Sequence, residues 1–173
     1  MVEATLFDFW RSSAAYRVRI ALNLVDIAYR TVPVDLDIGT QKRPEHLARN
    51  PQGLVPVLDI DGHRFTQSLA IIDYLNETRG LSFVPGDAPN RAKIRAVAMA
   101  VAVDIHPICN LSVATRASRD ASDPEAARLQ WMRDFIGPGL AAFDTLLDSF
   151  QGASYCCADT PTLAEYLPYP TII

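Results

Sequence analysis

Residues 1–80 contain four short stretches in which apolar residues alternate with polar ones or form brief runs between turn residues. These stretches are residues 5–9, 29–34, 55–60 and 64–67. Alternation with a period of two is typical of strands. The last two stretches are joined by Asp61-Gly62, a dipeptide that favours a two-residue hairpin turn. We therefore predict four strands in this part of the chain, the last two of them paired as a hairpin.

Between the predicted strands, apolar residues recur at intervals of three and four, which is typical of amphipathic helices. Residues 14–25 and 69–78 show this spacing, and Ser68 stands where it would cap the second helix. A shorter helix is predicted over 42–49, closed by Asn50-Pro51. The predicted order is βαβαββα, which is the plan of a thioredoxin-like α/β domain.

After residue 80 the pattern changes from mixed to helical. Residues 81–90 are rich in turn formers, which indicates a linker. One long helix is predicted over 91–111, bent by Pro107, and a second over 124–147, disturbed at Gly137-Pro138-Gly139. The predicted organisation is an α/β domain over residues 1–80, a linker over 81–90 and a helical domain over 91–173.

Near its end the chain carries a helix-start signal without room for a helix. Thr162 and Glu165 have the spacing of a capping box, but Pro168 follows almost at once. Either the signal is accidental or a segment of chain is absent after Glu165, and we favour the absence. On this interpretation the helical domain lacks a segment after residue 165 and also its final helices.

The composition argues against several classes of function. The chain has 173 residues, 49% of them hydrophobic, and its net charge of −4 comes without a block of lysine or arginine, which argues against nucleic-acid binding. No apolar run reaches the roughly 18 residues needed to span a bilayer. Residues 1–5 lead straight into the first strand without the apolar core of a signal peptide. We therefore expect no membrane association.

The cysteines and histidines give no sign of a disulfide framework or a metal site. There are three cysteines, two of them adjacent in sequence, and three histidines that are scattered without paired cysteines. A reducing cytoplasm fits this pattern best, and no metal is expected.

The start of the first predicted helix carries two adjacent hydroxyls, Ser12 and Ser13, with arginines on both sides. Backbone N–H groups at a helix start stabilise anions, and a hydroxyl there can donate a hydrogen bond to a thiolate and keep it ionised. Since this segment has no cysteine, the thiolate would come from a bound ligand, and glutathione is the obvious candidate. Taken alone, two such serines are more often an ordinary helix cap.

Two further signals occur in the same predicted domain. A cis bond before Pro56, at the start of the third strand, would present the Val55 backbone outward to pair with a peptide-like ligand, although a proline also simply opens strands. Ser68 and the free N–H groups at its helix start could receive a carboxylate, although Ser68 is also a common cap residue. The order of the elements places all three signals along one edge of a thioredoxin-like sheet.

The sequence motifs around these signals resemble those of zeta-class glutathione transferases, the group that contains maleylacetoacetate isomerase and bacterial maleylpyruvate isomerase. The resemblance runs from residue 4 to about residue 165. It is carried by the stretches Trp10-Arg11-Ser12-Ser13, 16–22, 50–56, 67–75 and Asp104-Ile105-His106-Pro107. It implies a glutathione transferase fold, in which a thioredoxin-like N-terminal domain is followed by a helical C-terminal domain.

The resemblance also implies roles for individual residues. Ser12 would donate a hydrogen bond to the glutathione sulfur, with Ser13 in support. Arg11 would help to hold a substrate carboxylate. Further contacts with glutathione would come from Gln41, Val55, Pro56, Gln67, Ser68, His106 and Asn110.

The activity that the resemblance implies is a glutathione-dependent cis–trans isomerisation of maleylacetoacetate or maleylpyruvate, small dicarboxylate-type acids of aromatic catabolism. The glutathione thiolate would add to the double bond and leave again after the bond has rotated. Two alternatives stay open: conjugation or dehalogenation of small electrophiles at the same glutathione site, and a glutathione-binding module without catalysis. A homodimer is expected from the same resemblance.

Overall fold

The chain divides into two units in the computed structural model. The structure describes residues 4–166, and at Tyr166 it describes the backbone alone. The boundary lies between Ser82 and Phe83. The described part of the first unit mixes strands with helices and a 3₁₀ turn over Thr40–Lys42. Its other elements are β1 (Ala4–Asp8), α1 (Ser13–Leu24), β2 (Tyr29–Pro33), α2 (Pro44–Leu47), β3 (Val57–Ile60), β4 (His63–Thr66) and α3 (Ser68–Thr78).

A mixed sheet with the strand order β2-β1-β3-β4 forms the centre of the first unit. β1 runs parallel to β2, with α1 between them in the chain, and antiparallel to β3, where Leu6 lies opposite Leu58. β3 and β4 form the predicted hairpin, whose turn residues Asp61 and Gly62 have φ values of +54° and +78°. Positive φ at both central positions is what a type I′ turn requires.

The core of the first unit is built from the central strands and from α1 and α3, which pack against each other. Leu6 and Leu58 on the strands and Leu22 and Ile72 on the helices are fully buried. Each side chain of this size stabilises the fold by about 1.5–3 kcal/mol through the apolar surface that it removes from water. The apolar spacing seen in the sequence is thus the spacing of the buried faces.

The element order βαβαββα is the one predicted from the sequence, with small differences at the ends of elements. β3 begins at Val57 rather than at Val55, and the nitrogen of Pro56 has no proton for the strand ladder. The prediction that Ser68 caps α3 is wrong. Ser68 is the first helical residue, and Gln67, with a φ of +67°, stands in the cap position.

The second unit is helical in its described part. α5 and α6 contact each other, and α6 also contacts the π-helical turn. Among residues 4–166, no helix has the length and apolar character needed to cross a membrane. The elements of the second unit are α4 (Ala88–Met99), the π-helical turn (Ala100–Ile105), α5 (Leu111–Ser118), α6 (Pro124–Leu147) and the 3₁₀ turns Asp148–Phe150 and Leu163–Tyr166.

The prediction of one helix over 91–111 is wrong at its beginning. α4 begins at Ala88, within the predicted linker, because the Asp87 side chain accepts a hydrogen bond of 2.9 Å from the Asn90 N–H. An aspartate in this position caps a helix and compensates one of its unpaired N–H groups. Asp87 and Pro89, which in sequence are typical of turns, therefore belong to a helix start.

The same prediction is also wrong at its end. The α-helical pattern stops at Met99 and gives way to the π-helical turn, in which the His106 N–H donates to the Val101 carbonyl at 2.9 Å. Pro107 has no N–H with which to continue the ladder. A separate helix, α5, then begins at Leu111, so the chain does not bend at Pro107 but ends one helix and starts another.

The helix α6 is uninterrupted, so the predicted disturbance at Gly137-Pro138-Gly139 is wrong. Pro138 lies inside the helix. A Cβ atom at Gly139 would lie 2.6 Å from Cδ1 of Ile105, whereas one at Gly137 would meet nothing within 4 Å. Gly139 therefore permits the close approach of α6 to the π-helical turn.

Thr162 and Glu165 form the predicted capping box. The Glu165 carboxylate accepts hydrogen bonds from the Thr162 N–H and from the Thr162 hydroxyl, the latter at 2.7 Å. The described chain continues from this box only as the 3₁₀ turn Leu163–Tyr166. The interpretation that a segment is absent after Glu165 depends on residues 167–173, which lie outside the described part of the chain.

Candidate active site

The strand register brings three segments to one edge of the sheet. Phe7, near the end of β1, lies opposite Val57 at the start of β3. Val57 in turn lies opposite Thr66 at the end of β4. The segments after β1, before β3 and after β4 therefore leave the sheet at the same edge. They carry the predicted site residues Ser12, Val55 and Ser68.

Ser12 caps α1 and keeps a proton available. Its Oγ accepts a hydrogen bond of 3.2 Å from the Ala15 N–H. A serine hydroxyl has two lone pairs and one proton, so this acceptance leaves the proton free to donate. The cap and the predicted hydrogen bond to a thiolate are therefore compatible. Ser13 is the first helical residue and is buried.

The loop in front of Ser12 is held by Arg19. Its guanidinium donates to the Asp8 carboxylate at 2.9 Å and to the Trp10 carbonyl at 3.1 Å, and it lies 5.1 Å from the centre of the Tyr16 ring. Asp8 is 3% exposed, and burial raises the pKa of its carboxyl although Arg19 acts in the opposite direction. Sequence reasoning gave neither Asp8 nor Arg19 a role.

Arg11, the predicted contact for a substrate carboxylate, belongs to the same loop. Its guanidinium lies 3.7 Å from the Asp37 carboxylate and 5.7 Å from the centre of the Trp10 ring. The Arg11 and Asp37 side chains are 36% and 53% exposed, and ion pairs this exposed contribute about 0–1 kcal/mol. Arg11 is therefore held in place but can be redirected at small cost.

The Val55-Pro56 peptide bond is cis, as the resemblance to zeta-class glutathione transferases implies. The Val55 side chain lies in a buried apolar cluster that includes Phe7, Phe9 and Val57. Within residues 4–166, no hydrogen bond uses the backbone N–H or carbonyl of Val55. A donor and an acceptor at a sheet edge are therefore available to pair with an added peptide-like strand.

Two buried polar residues, His46 and Asn50, fix the turn in front of Val55. The Asn50 side chain donates to the Leu54 carbonyl at 2.9 Å and accepts from the Gln52 N–H at 3.0 Å. His46 Nε2 lies 3.0 Å from the same Leu54 carbonyl, and because a carbonyl oxygen only accepts, this nitrogen carries the proton. Sequence reasoning did not assign His46 or Asn50 to the site.

The start of α3 contains the predicted carboxylate site. Gln67 Nε2 donates to Gln52 Oε1 at 2.9 Å, which ties the helix start to the turn before Val55. Ser68 is buried, and its Oγ accepts a hydrogen bond of 3.1 Å from a guanidinium nitrogen of Arg17. Burial lowers the pKa of Arg17 to about 10, so the guanidinium stays positively charged near neutral pH.

Gln41 lies in the 3₁₀ turn that follows β2 in the chain. Its Oε1 atom is buried and has no hydrogen-bond partner within the described residues. A buried amide oxygen without a partner destabilises the protein, and a ligand N–H can compensate it. The structure thus offers an acceptor at the position that the resemblance assigns to a glutathione contact.

His106 and Asn110 belong to the second unit and are described within it. His106 directly follows the π-helical turn. Asn110 caps α5, where its Oδ1 accepts from the Ser112 N–H at 3.1 Å and from the Ser112 hydroxyl at 3.0 Å. Because α5 was not predicted, this role of Asn110 was missed. The contact of both residues with glutathione stays a prediction.

The thiols of the chain itself are poorly suited to act as nucleophiles near neutral pH. Burial raises the pKa of Cys109. Burial also raises the pKa of Cys156 and of Cys157 to about 11, with Glu165 adding to the effect. Since the thiolate is the nucleophile, a reactive sulfur would have to come from a ligand. Within residues 4–166, no cluster of three or more His, Cys, Asp or Glu side chains could hold a metal ion.

Comparison with known proteins identifies the family. Residues 2–77 match the family described as glutathione S-transferase, N-terminal domain. Over 171 residues the chain is 57% identical to the maleylacetoacetate isomerase of Rhizobium meliloti (strain 1021). The aligned region covers 98% of this chain and 80% of that protein. The chain belongs to the maleylacetoacetate isomerase family of zeta-class glutathione transferases.

Solved structures of this zeta-class family match the fold. The holo structure of a maleylpyruvate isomerase, a bacterial zeta-class enzyme, gives a TM-score of 0.87 at 38% identity, over 94% of this chain and 77% of that chain. The maleylacetoacetate isomerase of Methylobacterium extorquens AM1, with bound malonate and glutathione, gives a TM-score of 0.86 at 43% identity. This match also covers 94% of this chain and 77% of that chain. The predicted glutathione transferase fold is confirmed, and members of the family bind glutathione and a dicarboxylate.

Proposed function

We propose that this protein is a glutathione-dependent cis–trans isomerase of a maleyl-type acid, maleylacetoacetate or maleylpyruvate. The observation that carries the proposal is the sheet edge shared by Ser12, Val55 and Ser68. There Ser12 offers a hydroxyl proton and Val55 an unpaired peptide group. Ser68 offers a hydroxyl that accepts a hydrogen bond from the Arg17 guanidinium. These groups suit the thiolate, the peptide backbone and the carboxylate of glutathione.

The residues that would hold glutathione lie mostly in the α/β domain, residues 1–80. Val55 would pair with the cysteinyl backbone, and Gln67 and Ser68 would hold the γ-glutamyl carboxylate. The buried Oε1 of Gln41 would accept a hydrogen bond from the ligand. The proposal also keeps residues 81–90, the last three of which begin α4, as a linker and 91–173 as the helical domain, with His106 and Asn110 as further contacts.

Glutathione supplies a thiolate that adds reversibly to the double bond of the substrate. Ser12 donates its free proton as a hydrogen bond to the sulfur, and the N–H groups of the first turn of α1 add positive potential, so the ionised sulfur is favoured. Arg11 would bind a carboxylate of the substrate, and its charge would stabilise the negative charge that develops on the neighbouring carbonyl oxygen while sulfur is bonded to carbon. The loop contacts of Arg19 hold Trp10 and thereby the segment that carries both groups.

The test of this proposal follows the ultraviolet absorbance of maleylpyruvate and of maleylacetone, a stand-in for maleylacetoacetate, with and without glutathione. We expect turnover only when glutathione is present, and complete recovery of the glutathione afterwards. Glutathione consumed into a stable adduct would instead identify a conjugating transferase. Binding of glutathione without turnover of either acid would identify a module without catalysis.

We also propose that the protein is a cytoplasmic homodimer. Large apolar side chains on the helical unit are exposed, among them Met99, Val103, Leu111 and Val113. Exposed apolar surface of this kind is favourable to cover with a second chain. Light scattering on the purified protein should give twice the chain mass of 19.1 kDa. A mass of one chain would contradict the dimer and leave the isomerase proposal in place.

A further inference from the structure

Arg17 is a buried cation without a counter-anion. The residue is 2% exposed, and within residues 4–166 no aspartate or glutamate pairs with it. Its Nε atom is buried without a hydrogen-bond partner, and its guanidinium donates instead to the Ser68 hydroxyl at 3.1 Å. A buried charge is unfavourable unless an opposite charge compensates it, so Arg17 lacks a partner that its position requires.

Other arginines of the same unit are compensated. Arg19 pairs with Asp8 at 2.9 Å. Arg64 pairs with Asp59 at 2.7 Å. Both of these arginines are partly exposed to water, whereas Arg17 is not. The least hydrated of the three cations is thus the one without an anion from the chain, which points to an anion from outside it.

The hydrogen bond from Arg17 also makes the Ser68 hydroxyl a donor toward any further partner. Because Oγ accepts from the guanidinium, its single proton is left to donate. Acceptance from a cation polarises the hydroxyl and makes it a stronger donor. Ser68 also begins α3, an 11-residue helix whose first N–H groups favour an anion. The natural partner of such a hydroxyl is a carboxylate, which only accepts.

We propose that Arg17 is a positioning residue for the γ-glutamyl carboxylate of glutathione, which it serves by directing the Ser68 hydroxyl and by compensating the negative charge. This inference rests on the proposed function, since it assumes that glutathione occupies the sheet edge. The carboxylate in turn supplies the counter-charge that the fold itself lacks. Arg17 therefore serves binding and does not stabilise the ligand-free protein.

The experiment compares two ligands on matched variants. The ligands are glutathione and γ-aminobutyryl-cysteinyl-glycine, which lacks only the α-carboxylate of the glutamyl residue. Their dissociation constants are measured by calorimetry on the wild type, on Arg17→Met, which removes the charge at similar volume, and on Arg17→Lys, which keeps the charge. Arg17→Gln, which keeps a donor for the Ser68 hydroxyl without the charge, is measured beside them and separates the charge from the hydrogen bond.

We expect the wild type to prefer glutathione over the analogue by roughly tenfold or more, as a charged hydrogen bond implies. Arg17→Met should lose most of this preference while its affinity for the analogue stays close to that of the wild type. Arg17→Lys should keep a larger part of the preference. A merely structural role would weaken the binding of both ligands equally, so an undiminished preference in Arg17→Met overturns the inference.

Failure of the proposed function gives a different result. A wild type that binds neither ligand would contradict the glutathione site itself, and one that binds both ligands equally would contradict a carboxylate at Ser68. The melting temperature of ligand-free Arg17→Met provides an independent readout. Replacing an uncompensated buried charge by an apolar side chain is neutral or stabilising, so this temperature should equal or exceed that of the wild type. A clear decrease would show that Arg17 stabilises the ligand-free fold, which contradicts the inference.

Discussion

The two units of the molecule differ in what they bury. In the described part of the first unit, the buried polar or charged residues are Thr5, Asp8, Ser13, Arg17, His46, Asn50 and Ser68. In the described part of the second unit, they are Ser118 and Thr162. Burying polar groups destabilises a fold unless each is compensated. Their concentration in one unit indicates where side chains are held for a ligand and not only for the core.

The helix caps of the two units differ in a similar way. In the second unit, Asp87, Asn110 and Asp123 each accept a hydrogen bond from the first turn of a helix, and this is a local, structural role. In the first unit, Ser12 makes the same kind of bond but also faces the shared sheet edge. The same kind of cap therefore serves stability in one unit and, on our proposal, chemistry in the other.

Removing one cap from each unit should separate these roles most clearly. Ser12→Ala loses the hydroxyl proposed to stabilise the thiolate, and we expect kcat/KM to fall by about 100-fold or more. Its free energy of unfolding should fall by only about 1 kcal/mol. Both quantities are measured with the isomerase assay and by urea unfolding.

The matched control is Asp123→Ala, which removes the carboxylate that accepts from the Ala126 N–H at 3.1 Å and caps α6. It should lose a similar free energy of unfolding and keep its activity. Ser12→Thr, which retains a hydroxyl in the cap position, should retain most of the activity. If Asp123→Ala lost as much activity as Ser12→Ala, the distinction between the two caps would be wrong.

Breaking the ion pair in front of Ser12 tests whether the buried charge of the first unit needs its partner. Arg19→Met leaves the buried Asp8 carboxylate without its cation, and we expect the free energy of unfolding to fall by about 3 kcal/mol. Urea unfolding measures this change. The double variant with Asp8→Asn should recover part of the loss, since an amide does not need a cation. No recovery would show that Arg19 acts through its contacts with Trp10 and Tyr16 instead.

In the second unit, the stability of the fold should depend on close packing at Gly139. Gly139→Ala places a Cβ 2.6 Å from Cδ1 of Ile105, and overpacking of this kind should lower the free energy of unfolding by about 1–3 kcal/mol. Gly137→Ala, two residues earlier on α6, meets nothing within 4 Å. Its gain in helix propensity is opposed by the proline that follows, so its stability should stay within about 0.5 kcal/mol of the wild type. Similar losses in both variants would contradict the close contact.

The smallest expected effect is a pH dependence from Asp8. Its pKa is raised above the ordinary value of 3.8, so the folded protein holds this proton to a higher pH than the unfolded chain does. The resulting stabilisation is fully present below pH 3.8 and is lost as the pH rises through the folded-state pKa. The stability of the wild type relative to Asp8→Asn should therefore decrease over this range, by about 1.4 kcal/mol for each unit of pKa difference. An increase over the same range would contradict the raised pKa.

The first unit was predictable from sequence because its signals are local. The hairpin follows from Asp61-Gly62, and the order of elements follows from hydrophobic periodicity. Ser12, Val55 and Ser68 stood out because each combines a turn or a helix start with a residue suited to it. Their position on one sheet edge then follows from the strand order alone, as the register shows.

The second unit was less predictable because its local signals are compatible with more than one helix boundary. A proline such as Pro107 is compatible with a bend or with an end, and local pattern does not separate the two. Contact between Ile105 and Gly139 brings together residues that are far apart in sequence. A signal for the start of α5 was nevertheless present, since Asn110 is a favoured cap residue.

The residues that support the site were missed for a related reason. Arg17 and His46 look like surface residues in sequence, and only the packing of α1, α3 and the turn before Val55 buries them. Burial of a polar residue depends on what covers it, and no local pattern records this. Asn50 could have been found, because asparagine before proline often bonds its own turn, as its acceptance from the Gln52 N–H shows.

The Asp37 carboxylate would compete with an anionic substrate for the Arg11 guanidinium. On the proposed role of Arg11, a substrate carboxylate that binds it exchanges one anion for another, because Asp37 already lies 3.7 Å from the guanidinium. Added salt screens both pairings, and their difference changes less than either one alone. On that proposed role, substrate binding at Arg11 would depend less on ionic strength than binding at an unpaired arginine would.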